Sequence, residues 1–231
     1  MNFKKFFGLS SSDIKQNCIL CQNADISLFS KNGNTANGLF AKTANTRSAT
    51  VIALKNNFLA GDAVLYLKET KCAKIFLFGS CGGCGSVETG DPLIIDKSYN
   101  YESFSKMLAF DVNPDFVSSS QKLTNSFFSK NSGGNVHLIK TNSACVSSLL
   151  LEARYIGLFG QKGINALDME SSIIFSAAKD IGAEAACLMY VSDHIQTNPL
   201  GKNMEEKTKK KIFFARKALA EMITDFTDGR F

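Results

Sequence analysis

The chain predicts an α/β fold, a three-layer αβα sandwich around a central mixed, largely parallel sheet. Three observations carry that prediction. Short β-branched and aromatic runs recur along the chain, stretches of helical period lie between them, and acidic residues fall where apolar runs end. The runs Asn17–Cys21, Ala49–Leu54, Lys74–Phe78, Leu93–Asp96, Val136–Lys140, Ile164–Met169 and Ala185–Val191 read as strands. Helices fit Leu59–Thr70, Leu149–Phe159, Ser171–Ile181 and Asn203–Phe226. In the last of these, Ile212, Ala215, Leu219, Met222, Ile223 and Phe226 recur at spacings of three and four, which makes one apolar helix face. The stretch Ser98–Gly134 breaks the alternation. Asn100–Lys106 and Phe116–Ser120 are polar and aromatic without a period, and Asn131–Gly134 reads as a turn. Insertions of this kind often carry specificity. With no repeat, low-complexity tract or linker, residues 1–231 are expected to form one domain.

Composition narrows the function classes. Apolar content of 45% and charged content of 20% suit a globular protein that buries one large core. Met1–Leu9 is cut short by Ser10–Asp13, too soon for a signal peptide, and no run approaches the roughly 18 apolar residues of a membrane span. A cytoplasmic protein is expected, so its seven cysteines read as reduced thiols. Cys18-x-x-Cys21 and Cys81-x-x-Cys84 have zinc-like spacing. Strand alternation, however, turns Cys18 and Cys21 to opposite faces, and Cys81 and Cys84 fall in a glycine-rich turn; no metal is expected. The net charge of +5 sits largely in the termini and in Lys207–Lys211, which reads as a solvated helix face. Arginine, the usual residue for bidentate phosphate recognition, occurs only at Arg47, Arg154, Arg216 and Arg230. Neither a nucleic acid nor a membrane is an expected partner.

Three segments carry candidate chemistry. Lys74–Phe78 runs into Gly79-Ser-Cys-Gly-Gly83, where glycine lets backbone amides approach an anion and the Ser80 hydroxyl adds a donor. A plain change of chain direction explains the same residues. Ala166-Leu-Asp-Met-Glu-Ser171 and Tyr190-Val-Ser-Asp-His-Ile195 each follow a buried strand, so Asp168, Glu170 and Asp193 reach strand ends, where open α/β sheets build ligand sites. Glu170 either complements the dipole of the following helix or accepts hydrogen bonds from vicinal hydroxyls, with Met169 as an apolar floor. Asp193 either caps a turn with Ser192 or, at the lip of an apolar pocket, donates a proton near neutrality. His194, next to Asp193, need not face that pocket.

Taken in order, Phe78-Gly-Ser-Cys-Gly-Gly83, Leu167-Asp-Met-Glu-Ser171 and Val191-Ser-Asp-His-Ile195 resemble the phosphate-side, ribose and base motifs of the nucleoside phosphorylase and nucleosidase superfamily, closest to bacterial purine nucleoside phosphorylases. The resemblance is clearest from about Ala49 onward. It implies an enzyme that breaks the N-glycosidic bond of purine nucleosides by phosphorolysis, giving free base and ribose 1-phosphate. Glu170 would hold the ribose hydroxyls and Met169 would pack beneath the sugar. Ser80 and Gly82 would line the phosphate side, Ser192 would lie beside the base, and Asp193 would protonate purine N7 with Lys207 assisting. No cofactor is implied, with inorganic phosphate as the co-substrate, and a homodimer or homohexamer is expected. The chain also departs from the pattern. Leu77 stands where phosphorylases of the family carry an arginine, and Cys21-Gln-Asn-Ala-Asp25 replaces their Gly-Asp-Pro loop. A nucleosidase using water, or a non-catalytic nucleoside-binding member, is therefore the alternative. Asp25 is the acid nearest the first strand that could activate water, although it reads more readily as a turn or helix-cap residue.

Overall fold

The computed structural model describes residues 2–22, 25–30, 35–108, 115–130 and 136–230. Among these, ten strands join one sheet. They are β1 (Asn17–Gln22), β2 (Ala36–Asn37), β3 (Ala41–Asn45), β4 (Ala49–Leu54), β5 (Lys74–Gly83), β6 (Pro92–Tyr101), β7 (Phe116–Ser118), β8 (Ile139–Val146), β9 (Ile164–Asp168) and β10 (Glu184–His194). The helices are α1 (Phe3–Phe7), α2 (Ile26–Phe29), α3 (Ala60–Tyr66), α4 (Phe104–Leu108), α5 (Gln121–Lys130), α6 (Ile156–Gln161), α7 (Ser171–Asp180) and α8 (Glu206–Thr227).

The sheet order is β10-β6-β8-β9-β5-β1-β4-β3-β2, and β10 also pairs with β5. Five strands (β10, β6, β8, β9 and β5) therefore close on themselves, and β1, β4, β3 and β2 extend from β5 as an open wing. Pairings β4–β1, β1–β5, β5–β10, β6–β8 and β8–β9 are parallel, whereas β10–β6 and β5–β9 close the ring antiparallel. A parallel centre covered on both faces selects continuous apolar runs over alternation. β4 meets that requirement, with every residue of Ala49–Leu54 buried.

Two cores flank the sheet. On one face Leu20, Ile52 and Leu77 pack with Val64 of α3 and Ile174 and Phe175 of α7. On the other, Ile19, Val51, Phe76 and Phe78 pack with Leu123 and Phe127 of α5 and Leu219 and Ile223 of α8. The αβα layering is thus as the sequence predicts. Cys18 lies in the first core and Cys21 in the second, as strand alternation requires. The apolar stripe of α8 is buried at Ala215, Leu219, Met222 and Ile223, and the Lys207–Lys211 run is exposed. No described helix is long and apolar enough to cross a membrane.

Several boundaries differ from the sequence reading. The Gly79–Gly83 segment is not a turn; β5 continues through it, paired with β10 as far as Gly83↔His194. Glycine is needed there by crowding. A Cβ on Gly83 would approach the Val191 Cγ1 to 2.8 Å and the His194 Cδ2 to 3.0 Å. β8 spans Ile139–Val146, later than Val136–Lys140, because its polar residues Thr141 and Ser143 are buried. Leu149–Phe159 is a 3-10 turn at Glu152–Tyr155 followed by α6, not one helix. The aperiodic middle contributes β6's last residues, α4, β7 and α5. The Asn131–Gly134 turn lies outside the described residues.

Candidate functional site

The C-terminal ends of β1, β5, β9 and β10 meet on one side of the sheet, and the candidate residues arrive on them. In β10 the register with β5 shifts between Val191 and Asp193, a β-bulge at Ser192. A bulge re-aims the side chain that follows it. Here it sets Asp193 opposite Gly82, where a Cβ would lie 3.6 Å from the Asp193 Oδ2. The Ser192 hydroxyl lies 2.6 Å from Asp193 Oδ1 and 3.1 Å from the Cys81 carbonyl, so its one proton serves either acceptor. His194 is buried, and its Nδ1 accepts from the amides of Gln196 and Thr197 at 3.2 and 3.3 Å. That nitrogen fastens a turn.

At the end of β9 the carboxylates divide into two kinds. Asp168 is enclosed. It accepts from the amides of Glu170 (2.9 Å) and Ser171 (2.7 Å) and from the Ser171 hydroxyl (2.6 Å). The Ser171 hydroxyl in turn lies 2.7 Å from that of Ser98 and 2.9 Å from that of Ser143. Asp168 is thus no outward acid, as the sequence suggested, but a buried knot that fixes the Met169–Glu170 corner. Asp168→Ala leaves two amides and a serine network unpaired, each buried group costing about 1–3 kcal/mol. The expected result is a clear fall in Tm by calorimetry, and an unchanged Tm would refute the assignment.

Glu170 occupies the N-cap position of α7 but makes no cap hydrogen bond there. Its carboxylate instead accepts weakly from the Met169 amide (3.3 Å) and from the Asn57 side chain. Burial, and then the neighbouring Asp168 charge, raises its pKa to about 7. Glu170, Asn57, Ser80, Leu77 and Met189 line a cavity of about 10 Å³, close to the space of one water.

Asp25, immediately before α2, is 3% exposed. It stands at the N-cap position of α2 without capping it, so the helix-cap reading is corrected. Its Oδ1 instead receives the Arg216 guanidinium of α8, with Nε at 2.7 Å and a second contact from NH2. Burial raises the Asp25 pKa, and Arg216 opposes that shift without cancelling it. Tyr190, hydrogen-bonded to Ser80, and Cys21 at the end of β1 both feel the charges of Asp25 and Arg216.

A larger cavity of about 360 Å³ opens on the other side, with Gly82, Asp193 and Glu152 in its lining and Leu149, Leu150 and Leu200 around them. Burial, then the charges of Asp193 and Asp168, raises Glu152 to about 7. The structure places Ser80 and Glu170 at the small cavity and Gly82 and Asp193 at the larger one, with Met169 next to Glu170 and Ser192 next to Asp193 in the chain. It brings Lys207 to neither; that residue is exposed in the first turn of α8 with no hydrogen bond or ion pair to Asp193 among the described residues. Arg47 lies apart, lining a cavity with Lys217 and Asp225. Sequence reasoning missed Asn57, Glu152 and Arg216. Arg216 sits 191 residues from its partner, beyond any local pattern.

No curated protein sequence matches the chain. Among solved structures, uridine phosphorylase from Vibrio fischeri superposes with a TM-score of 0.82 at 16% identity, covering 99% of this chain and 97% of its own. A 5'-methylthioadenosine/S-adenosyl homocysteine nucleosidase from Campylobacter jejuni gives 0.72 at 13%, covering 94% and 100%. A P. knowlesi homolog of P. falciparum PNP gives 0.75 at 10%, covering 96% and 93%. Identities this low establish a shared fold. The family model of the phosphorylase superfamily, however, matches residues 59–226, the span from α3 to the end of α8 that supplies Ser80, Glu170 and Asp193, and the chain belongs to that superfamily.

Proposed function

We propose that this protein is an enzyme that cleaves the N-glycosidic bond of purine nucleosides, with water as the nucleophile. The observation that carries the choice of nucleophile is the Asp25–Arg216 pair, whose charges reach Tyr190, the hydrogen-bond partner of Ser80. A phosphate dianion there would meet the Asp25 carboxylate and compete with it for one guanidinium, while Leu77 contributes no charge to the adjoining cavity. Water meets neither obstacle. Asp25, held by Arg216 and raised in pKa, accepts a proton from water as oxygen attacks C1′. Glu170 accepts from the ribose hydroxyls, and its negative charge favours the cationic character that develops on the sugar. Asp193, across the ring of strands, protonates N7 so that the base departs neutral.

Phosphorolysis, which the sequence resemblance implies, requires Arg216 to release Asp25 and turn to phosphate. The experiment that separates the readings is release of base from inosine, guanosine, adenosine and uridine, with and without inorganic phosphate, with the sugar product identified. Purine base and free ribose at a rate indifferent to phosphate is the expected result. Ribose 1-phosphate formed only with phosphate would replace water by phosphate as nucleophile, and binding without release would favour a non-catalytic role.

A further inference from the structure

The cavity beside Glu170 has the size of one small molecule. Its volume of about 10 Å³ is close to the least that holds a single water. Glu170, Asn57 and Ser80 form its polar lining, within the roughly two to four partners that an ordered buried water takes. A carboxylate offers about four acceptor sites, so Glu170 serves a water there together with the ribose hydroxyls. Cys21 lines the same cavity and feels the charges of Asp25 and Arg216, so the acceptor proposed for the water proton lies toward that wall.

The opposite wall is apolar and comes from the sheet. Met189 stands opposite Gly79 in the β5–β10 pairing, and Leu77 precedes Gly79 by two residues. Strand alternation therefore turns the Leu77 and Met189 side chains to one face of the sheet. They are 5% and 1% exposed, and both belong to the core packed against α3 and α7. Close-packed side chains of this kind yield little, so the cavity they bound does not stretch to admit an added methyl group. A phosphate ion is larger still.

We infer that Leu77 is a specificity-determining residue whose side chain holds this cavity to the size of water and so decides which nucleophile attacks the sugar. The inference rests on the reading of glycosidic cleavage by water and names the residue that limits the nucleophile. In the reaction the water oxygen bonds to C1′ as the C1′–N9 bond breaks. One water proton passes to Asp25, and the proton of Asp193 passes to N7 while the electron pair of the broken bond leaves with the base. Methanol, once admitted to the cavity, follows the same steps and gives methyl riboside in place of ribose.

The test is the partition between ribose and methyl riboside when a purine nucleoside is cleaved in aqueous methanol by the parent, Leu77→Val and Leu77→Ala. A product ratio does not depend on how much active enzyme is present, so lost stability alone leaves it unmoved. The parent is expected to form ribose with at most a trace of methyl riboside. Leu77→Ala should raise the methyl riboside share at least about tenfold, the scale on which an apolar site discriminates one methylene. Leu77→Val, a milder truncation, should fall between them, and it carries the test if Leu77→Ala does not fold. Methyl riboside formed by the parent in proportion to the methanol present would overturn the inference and leave cleavage by water standing. Shares in the variants within about twofold of the parent's would do the same. Loss of all cleavage in both variants would also overturn it, since a widened cavity still holds water. Ribose 1-phosphate formed with phosphate, or no cleavage of any nucleoside by the parent, would overturn it together with the reading it rests on.

Discussion

Asp193→Asn is expected to lower kcat on purine nucleosides by about 10²–10⁴-fold, the range in which a positioned general acid contributes. The argument starts from the backbone. The bulge at Ser192 sets Asp193 against Gly82, and the absent side chain at Gly82 leaves its carboxyl group open to the larger cavity. The Ser192 hydroxyl, 2.6 Å from Oδ1, fixes the orientation of the group. An asparagine retains the shape and can donate a neutral hydrogen bond, but it cannot deliver a proton. The ribose contact should survive, because Glu170 comes from the end of β9 and is held by Asn57 and the Met169 amide. The variant should therefore lose kcat with little change in nucleoside affinity. A riboside whose leaving group needs no proton, such as a p-nitrophenyl riboside, should be cleaved by parent and variant at similar rates. Equal losses on both substrates would mean damage to the site in general and would remove Asp193 from the acid role.

What the sequence disclosed follows the locality of the forces involved. The central strands β1, β4, β5, β9 and β10 were legible because burial on both faces demands uninterrupted apolar runs. The helices α7 and α8 were legible from their stripes. β3, Ala-Lys-Thr-Ala-Asn, carries no β-branched apolar residue, and its place is set by pairing with β4. The extension of β5 through Gly79–Gly83 was hidden because glycine signals a turn locally. At Gly83 it answers the approach of Val191 and His194 from a strand more than 100 residues later.

The site divides in the same way. Glu170, Met169, Ser80, Gly82 and Asp193 follow apolar runs and could be placed at strand ends from sequence. Asp168 shares that position, yet its role depends on Ser98, Ser143 and Ser171, contributed by three separate elements. Asp25 had a local explanation as a helix cap, and only the return of α8 beside α2 gives it Arg216. Glu152 carries no motif at all. Its place in the cavity beside Asp193 shows only with the surrounding elements assembled.

Glu170→Gln should move activity and stability in opposite directions. On the activity side, the charged carboxylate accepts from the ribose hydroxyls and stabilises positive charge on the sugar, so kcat/KM should fall by about 10²-fold or more. On the stability side, the folded protein holds Glu170 at about 7 through burial and the Asp168 charge, well above the ordinary glutamate value of about 4.3. The folded state therefore binds the proton more tightly than the unfolded chain does. Its contribution is fully present below about 4.3, is lost progressively as pH rises toward about 7, and stays lost above that. Glutamine carries no charge at any of these values, so the variant should match the parent in Tm near pH 4 and exceed it at pH 8. The same titration predicts that parental kcat/KM falls as pH drops below about 7, because protonated Glu170 offers the ribose a poorer acceptor. Thermal melts of both proteins from pH 4 to pH 8, paired with the kinetics, check each half. A variant less stable than the parent at pH 8 would mean that the Asn57 and Met169 contacts outweigh the cost of burying the charge. In that case Glu170 would belong with Asp168 as a structural residue, and the ribose would have to be held by another group.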